Sequence, residues 1–154
     1  MQINRIEVTN FRALRNAALS FESTTAIIGE NNTGKSAFLI ALDLFFSNAP
    51  KVTPTDFSDG STDAPIDITV HFTNLTPYDR AEFQSNLLDG KLIVTRRLLA
   101  SGGAEHGRFF VSAKVNPDFT ACRNEENKTK KRELYAELQA KYGEKELRRA
   151  RSAD

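Results

Sequence analysis

The stretch Gly29-Glu30-Asn31-Asn32-Thr33-Gly34-Lys35-Ser36 follows an apolar run, Thr24-Thr25-Ala26-Ile27-Ile28, and leads into a segment free of Gly and Pro up to Phe46. It fits the spacing G-x-x-x-x-G-K-[ST], a phosphate-binding P-loop. Such a loop turns successive backbone N–H groups toward a polyphosphate, which demands backbone conformations that glycine adopts with least strain. The helix that begins at Gly34 aims its positive end at the phosphates. Lys35 supplies a point charge toward the β- and γ-phosphates, and the Ser36 hydroxyl is placed to ligate Mg2+. A chance match at four fixed positions has a probability of about half a per cent in a chain of this length. The motif therefore predicts ATP or GTP binding, and says less about hydrolysis.

Thr24–Ile28 reads as a central strand buried on both faces, because its apolar run is nearly continuous. Gly34 to Phe46 reads as a helix with Phe38, Leu39, Leu42, Phe45 and Phe46 on its apolar side. Upstream, Met1–Thr9 reads as a strand whose alternation is imperfect, with Ile3 and Ile6 on opposite faces, and Ala17–Phe21 as a second strand that could pair with it. Downstream, Lys51–Pro65 is a polar loop. Ile66, Ile68, Val70 and Phe72 alternate cleanly as a strand with one buried face. Pro77–Asp89 reads as a short helix capped by Thr76 and closed by Gly90. Lys91–Leu99 and Arg108–Val115 read as two further strands. Beyond Asn124 the chain is mostly Lys, Glu and Arg, with Leu134, Leu138 and Tyr142 at helical spacing and Leu147 slightly out of phase.

At 154 residues the chain can bury a core of its own, and 21 basic residues against 20 acidic ones do not suggest a dedicated nucleic-acid coat, while leaving room for a local basic patch. A single cysteine, Cys122, excludes an intramolecular disulfide and a zinc ribbon, and reads as an inert thiol. No apolar run nears the ~20 residues of a membrane span, and the N-terminus lacks a signal-peptide core. The expected compartment is the cytoplasm.

Ile3-Asn4-Arg5-Ile6-Glu7-Val8-Thr9-Asn10-Phe11-Arg12 followed by a GxNxxGKS loop resembles the N-terminal half of the RecF/SMC-like branch of ABC-type ATPases. The stretch Asp67-Ile68-Thr69-Val70-His71-Phe72-Thr73-Asn74-Leu75-Thr76, with Asp89-Gly90-Lys91-Leu92-Ile93-Val94-Thr95-Arg96-Arg97 after a short helix, is similar to the OLD (overcoming lysogenization defect) family. Those proteins are ATP-dependent endonucleases of bacteria and phages, with an N-terminal ATPase and a C-terminal Toprim nuclease. The resemblance spans residues 1–115. It implies an α/β fold: a P-loop NTPase core of ABC type with flanking antiparallel strands and a C-terminal helical segment. It implies that Gly29, Glu30, Asn31, Asn32, Thr33, Gly34, Lys35, Ser36 and Ala37 hold Mg-ATP, with Asn31 close to the γ-phosphate, Ser36 on the metal and Arg12 beside the nucleotide. It also implies a homodimer or larger assembly through ATPase heads, contact with DNA, and a place in DNA repair or phage defence.

The rest of such a site is not legible. No strand of four apolar residues ends in the acid of a Walker B motif, no Q-loop glutamine stands out, and neither His71 nor His106 suits an H-loop. Leu99-Ala100-Ser101-Gly102-Gly103-Ala104-Glu105 looks like an LSGGQ signature, yet lies between two strands, where a hairpin loop is the better reading. No catalytic residue is assigned. The expected organisation is residues 1–120 as the first part of an ATPase head and 121–154 as a charged arm or linker, with the Toprim domain outside the sequence. The arm's nine basic and seven acidic residues from Asn124 onward, clustered at Lys128-Thr129-Lys130-Lys131-Arg132 and Arg148-Arg149-Ala150-Arg151, read as a solvated helix that could touch phosphates. Two other functions fit the same residues: a non-catalytic nucleotide-binding switch, or the head of another RecF/SMC-like repair protein.

Overall fold

The computed structural model describes residues 1–30, 33–112 and 117–143. The chain forms two compact units, residues 1–114 and 115–154.

The first unit is built on an antiparallel sheet. Its strands are β1 (Gln2–Phe11), β2 (Leu14–Ser20), β3 (Ile66–Thr73), β4 (Leu87–Leu88), β5 (Lys91–Leu98) and β6 (Phe109–Val111). Their order is β2-β1-β3-β5-β4, with β6 also pairing with β5. β1 and β2 form a two-residue hairpin in which Phe11 faces Leu14 and Arg12 takes a positive φ of 50°. The imperfect alternation of β1 is resolved by a bulge: Ile3 pairs with Phe72 but Arg5 with His71, so Asn4 is the extra residue. One inserted residue flips the pleat. Ile3 and Ile6 therefore share the inner face, a correction to their expected placement on opposite faces.

Helix α1 (Lys35–Phe46) covers that inner face. Ala37, Ala41 and Phe45, four residues apart, are its buried stripe. They pack with Ile6, Val8, Phe11, Ile66, Ile68, Val70, Phe72, Leu92 and Leu98 into one core. β3 shows why the strand forms, since every second residue from Ile66 to Phe72 is buried. On the other face Thr69 and Thr95 share a hydrogen bond of 2.8 Å, and Arg97 holds Asp67 through two bonds of 2.8 Å.

Two sequence expectations fail here. Thr24–Ile28 pairs with none of the six strands, and Ile28 is 92% exposed. An apolar run records the environment a segment suits. A strand also needs neighbours, and the sheet runs from β2 to β4 without a place for this one. The helix expected over 77–89 is shorter: α2 spans Pro77–Glu82, then a 3-10 turn (Gln84–Asn86) leads into β4. Thr76 caps α2 as expected, accepting from the Asp79 N–H at 3.2 Å. Gly90, at φ 76°, closes the β4–β5 turn instead of the helix, because Leu87 and Leu88 gain partners in β5 that a helix would deny them.

In the second unit, a 3-10 turn (Pro117–Phe119) leads into α3 (Thr120–Asn124), and α4 follows (Lys128–Tyr142), capped by the Asn127 side chain. Leu138 and Cys122 are buried, and Leu134 and Tyr142 half-buried, so the thin apolar stripe is the packed one. Asp118 binds the Tyr142 hydroxyl and the Lys141 ammonium. Leu147 and the Arg148–Arg151 cluster lie outside the described residues. Among the described residues no helix is long and apolar enough to cross a membrane.

Candidate nucleotide-binding site

The site is assembled where the β1–β2 turn meets the start of α1. Gly34 is buried there with φ 91°. A Cβ at this position would lie 2.7 Å from Leu14 Cδ2 and 3.7 Å from the Ala13 Cβ. Two separate causes thus demand glycine: a left-handed backbone and the close approach of the β-hairpin. The hairpin that carries Arg12 is in this way packed directly against the last glycine of the loop.

Gly34 is also the N-cap of α1, and it offers no side chain to the helix. The first turn contains no acidic residue. A helix start leaves backbone N–H groups unpaired and carries a partial positive charge, so an anion is the partner that completes it. Ala37 is buried against the core and fixes the first turn. Ser36 is exposed beside it, free to present its hydroxyl.

The loop itself is held by Thr33 and Lys35. The Thr33 hydroxyl donates to the Glu30 carbonyl at 2.8 Å. The Lys35 ammonium donates to the Gly29 carbonyl at 2.7 Å and to the Glu30 carbonyl. Lys35 is therefore turned back onto its own loop, between Gly29 and the start of α1. Asn31 and Asn32 lie outside the described residues.

Arg12 is engaged by Asp56. Its Nε and Nη2 lie 2.9 and 2.8 Å from Asp56 Oδ1, and its backbone N–H donates to the Asp56 carbonyl at 2.8 Å. Asp56 belongs to a 3-10 turn (Pro54–Asp56) inside the polar loop after α1. Burial acts to raise its pKa, but hydrogen bonds from Thr53 and Arg12 outweigh that and hold it below the usual value. Ser58 adds a bond of 2.9 Å to the Arg12 carbonyl. The loop is thus pinned to the same hairpin that touches Gly34.

For a metal, the chain's own fitting donor at this place is the Ser36 hydroxyl. Among the described residues no three His, Cys, Asp or Glu side chains gather as a metal site. Neither histidine stands at the loop: His71 is on β3, and His106 spans from the Leu99 backbone to the Pro50 carbonyl, 3.1 Å from Nε2. The Gly-rich residues 99–107 join β5 to β6, which pair antiparallel, so they form a hairpin loop.

One residue at the far end of α1 escaped the sequence reading. Arg96 is 4% exposed, and its guanidinium donates to the carbonyls of Leu44, Phe45 and Ser47 as the helix ends. The signal was present: Leu92, Val94, Arg96 and Leu98 alternate onto the inner face of β5, and an arginine at an inward position needs a partner.

Comparison with known proteins agrees with this architecture. The family model of the AAA ATPase domain matches residues 1–150. An OLD nuclease from Thermus scotoductus is 37% identical over 86 residues, which is 53% of this chain and 16% of that protein. The chain thus spans about a sixth of the length of that curated relative. A solved structure from work on ATP-driven dimerization and DNA-stimulated activation of SMC ATPases superposes with a TM-score of 0.50 at 16% identity, covering 90% of this chain and 99% of that one. At that identity the likeness speaks for the fold, a P-loop NTPase core with mixed α and β elements. The chain resembles the ATPase portion of OLD-like proteins, and it belongs to the AAA ATPase domain family.

Proposed function

We propose that this chain binds Mg-ATP at Gly29–Ser36 and forms the ATP-binding portion of an OLD-like, ATP-dependent DNA endonuclease. The observation that carries the reading is the start of α1. A glycine held at positive φ, no side-chain cap, no acid in the first turn and a lysine folded onto the loop together make an anion-binding end. ATP supplies the phosphates; Lys35 neutralises the outer two and Ser36 ligates Mg2+. The family resemblance assigns Asn31, which is outside the described residues, to the γ-phosphate. Arg12, held by Asp56 on the hairpin that touches Gly34, stands at the edge of the site.

ATP hydrolysis and DNA cleavage are assigned to segments beyond those seen here. Two features support this. Among the described residues Thr24–Ile28 runs into the loop without a neighbouring strand, and Leu39 and Phe46, expected on the apolar side of α1, are 59% and 57% exposed while Ala37, Ala41 and Phe45 are buried. Large apolar side chains exposed together mark a surface that takes a further partner. Both features fit a head completed by further structure; the family resemblance adds the rest of the proposal, a cytoplasmic dimer joined through ATP and acting on DNA.

Calorimetric titration with Mg-ATP tests the reading. The wild-type chain should bind, and Lys35→Ala should remove measurable binding. Equal affinity in the two would overturn the site. Turnover by this chain that is lost in Lys35→Ala would overturn the division of labour.

A further inference from the structure

The two ends of α1 are treated differently. At its N-terminus the helix meets the loop. At its C-terminus, about 18 Å away for 12 residues, it meets Arg96. This guanidinium lies within the first unit's interior, with carbonyls as its partners: Leu44 at 3.0 Å, Phe45 at 2.8 Å and Ser47 through Nη1, and Gly107 at 3.2 Å through Nε. Its Cζ sits 4.6 Å from the centroid of the Phe109 ring. Phe109 in turn meets Phe45 edge-on at 5.5 Å. Among the described residues no carboxylate pairs with it, and burial is the one cause acting on its pKa, which it lowers.

A buried charge is kept only where something compensates it. Here the compensation is the negative end of α1 and the carbonyls that a helix leaves unpaired. The surroundings strengthen the grip. A Cβ on Gly107, at φ 72°, would lie 3.3 Å from Pro50 and 3.6 Å from Arg96 Nη2, so the β5–β6 loop closes tightly over the helix exit. His106 binds the Pro50 carbonyl from that loop as well.

We propose that Arg96 is a positioning residue for nucleotide binding, which fixes the tilt and register of α1 from its far end and so sets where the first-turn N–H groups point. The inference rests on the reading of Gly29–Ser36 as the ATP site. A helix is stiff, so a shift where Arg96 releases it is carried to Lys35 and Ser36. Arg96 also offsets the negative pole of the helix, which leaves the positive pole to the phosphates.

The test uses the full chain with Arg96→Met, which keeps the stem and removes the charge, and Arg96→Lys, which keeps the charge but cannot span four carbonyls. Val70→Ala, in the core of β3 away from α1's ends, is the stability control. Mg-ATP affinity should fall roughly fivefold or more in Arg96→Met, in the range of an ordinary coupling between sites, and by less in Arg96→Lys. Val70→Ala should lower the urea midpoint with no change in affinity. Hydrogen exchange in the unliganded chain should quicken at amides of the first turns of α1, such as Phe38, which bonds to the Gly34 carbonyl. Exchange in β1 and β3 should stay as in wild type. Unchanged affinity and unchanged α1 exchange in the folded variants would overturn the proposal. If Arg96→Met fails to fold, Arg96→Lys carries the same two readouts. If the wild-type chain itself fails to bind Mg-ATP, the ATP reading falls, while the exchange pattern still decides whether Arg96 holds the helix.

Discussion

Strand β3 and the run Thr24–Ile28 are both short and rich in β-branched residues, and they end in opposite environments. β3 has β1 on one side and β5 on the other, and Ile66, Ile68 and Val70 are fully buried. Among the described residues Thr24–Ile28 has no strand on either side, and its last isoleucine stands in solvent. The difference is not in the residues, which suit a strand equally well. It lies in the backbone, because a strand's N–H and C=O groups must be matched by neighbours before its side chains can be covered. β3 has those neighbours within residues 1–98. Among the described residues the run before the P-loop has none.

Substitution of one isoleucine in each region gives the largest expected contrast. Ile68→Asp places an unpaired carboxylate in the core under α1 and should cost more than about 4 kcal/mol, enough to unfold the chain. Ile28→Asp should stay within about 0.5 kcal/mol of wild type in this chain, as for other exposed sites. Urea unfolding followed by circular dichroism measures both. A loss at Ile28 comparable to that at Ile68 would mean that the run is packed in solution, and the contrast would collapse. Repeating Ile28→Asp in a longer protein that supplies the neighbouring strands should turn the neutral change into a damaging one.

That pair also explains how much could be read in advance. β3 and α1 were legible because each signal is local: a two-residue period for one, and a Gly-to-Phe46 run without breakers for the other. The turn into α1 was legible because glycine at Gly34 answers a backbone demand that few residues meet. The bulge at Asn4 was not, since an inserted residue looks like a broken alternation until its partner strand is known. Arg96 was legible only as an inward arginine that needs a partner; three of its partners are carbonyls about fifty positions upstream, and a carbonyl has no sequence signature. The run at Thr24–Ile28 misled for the converse reason: the pattern is sound, and the missing element is the neighbour.

Gly34 joins the two regions, and Gly34→Ala should have a middle-sized effect. The left-handed backbone costs about 1–3 kcal/mol for a residue with a Cβ. The contact with Leu14 adds to that, though Leu14 Cδ2 is the tip of a side chain that can turn away. The loss should therefore be smaller than at Ile68, since the sheet beneath stays intact. Thermal unfolding gives the stability, and Mg-ATP titration shows whether the hairpin still seats the loop. If Gly34→Ala proved as stable as wild type, the hairpin would not press on the loop in solution, and Arg12 would lose its argued place beside it.

The smallest expected effect concerns the outer face of β3, whose burial makes stability respond to pH. His71 lies there with a side chain 18% exposed, and its Nε2 is 3.3 Å from Glu7 Oε1 without the alignment of a hydrogen bond. Burial lowers its pKa below 6.5; the Glu7 carboxylate opposes this, and the charges of Arg5 and Lys91 add to it. The unfolded chain then takes up the proton first as pH falls through about 6.5. His71 costs nothing above that value, and it destabilises the fold below it, until the folded form is protonated too. Glu7, whose own pKa is held down chiefly by Arg5, titrates below its usual 4.5 and stays outside this window. His71→Gln should therefore flatten the fall in urea midpoint between about pH 7.5 and about pH 5.5, by an amount near the limit of a surface substitution, about 0.5 kcal/mol. Equal slopes for variant and wild type would mean that the outer face of β3 is as wet as Thr24–Ile28. The half-buried state of this face would then give way to full solvation, and β3 would differ from the unpaired run on one face alone.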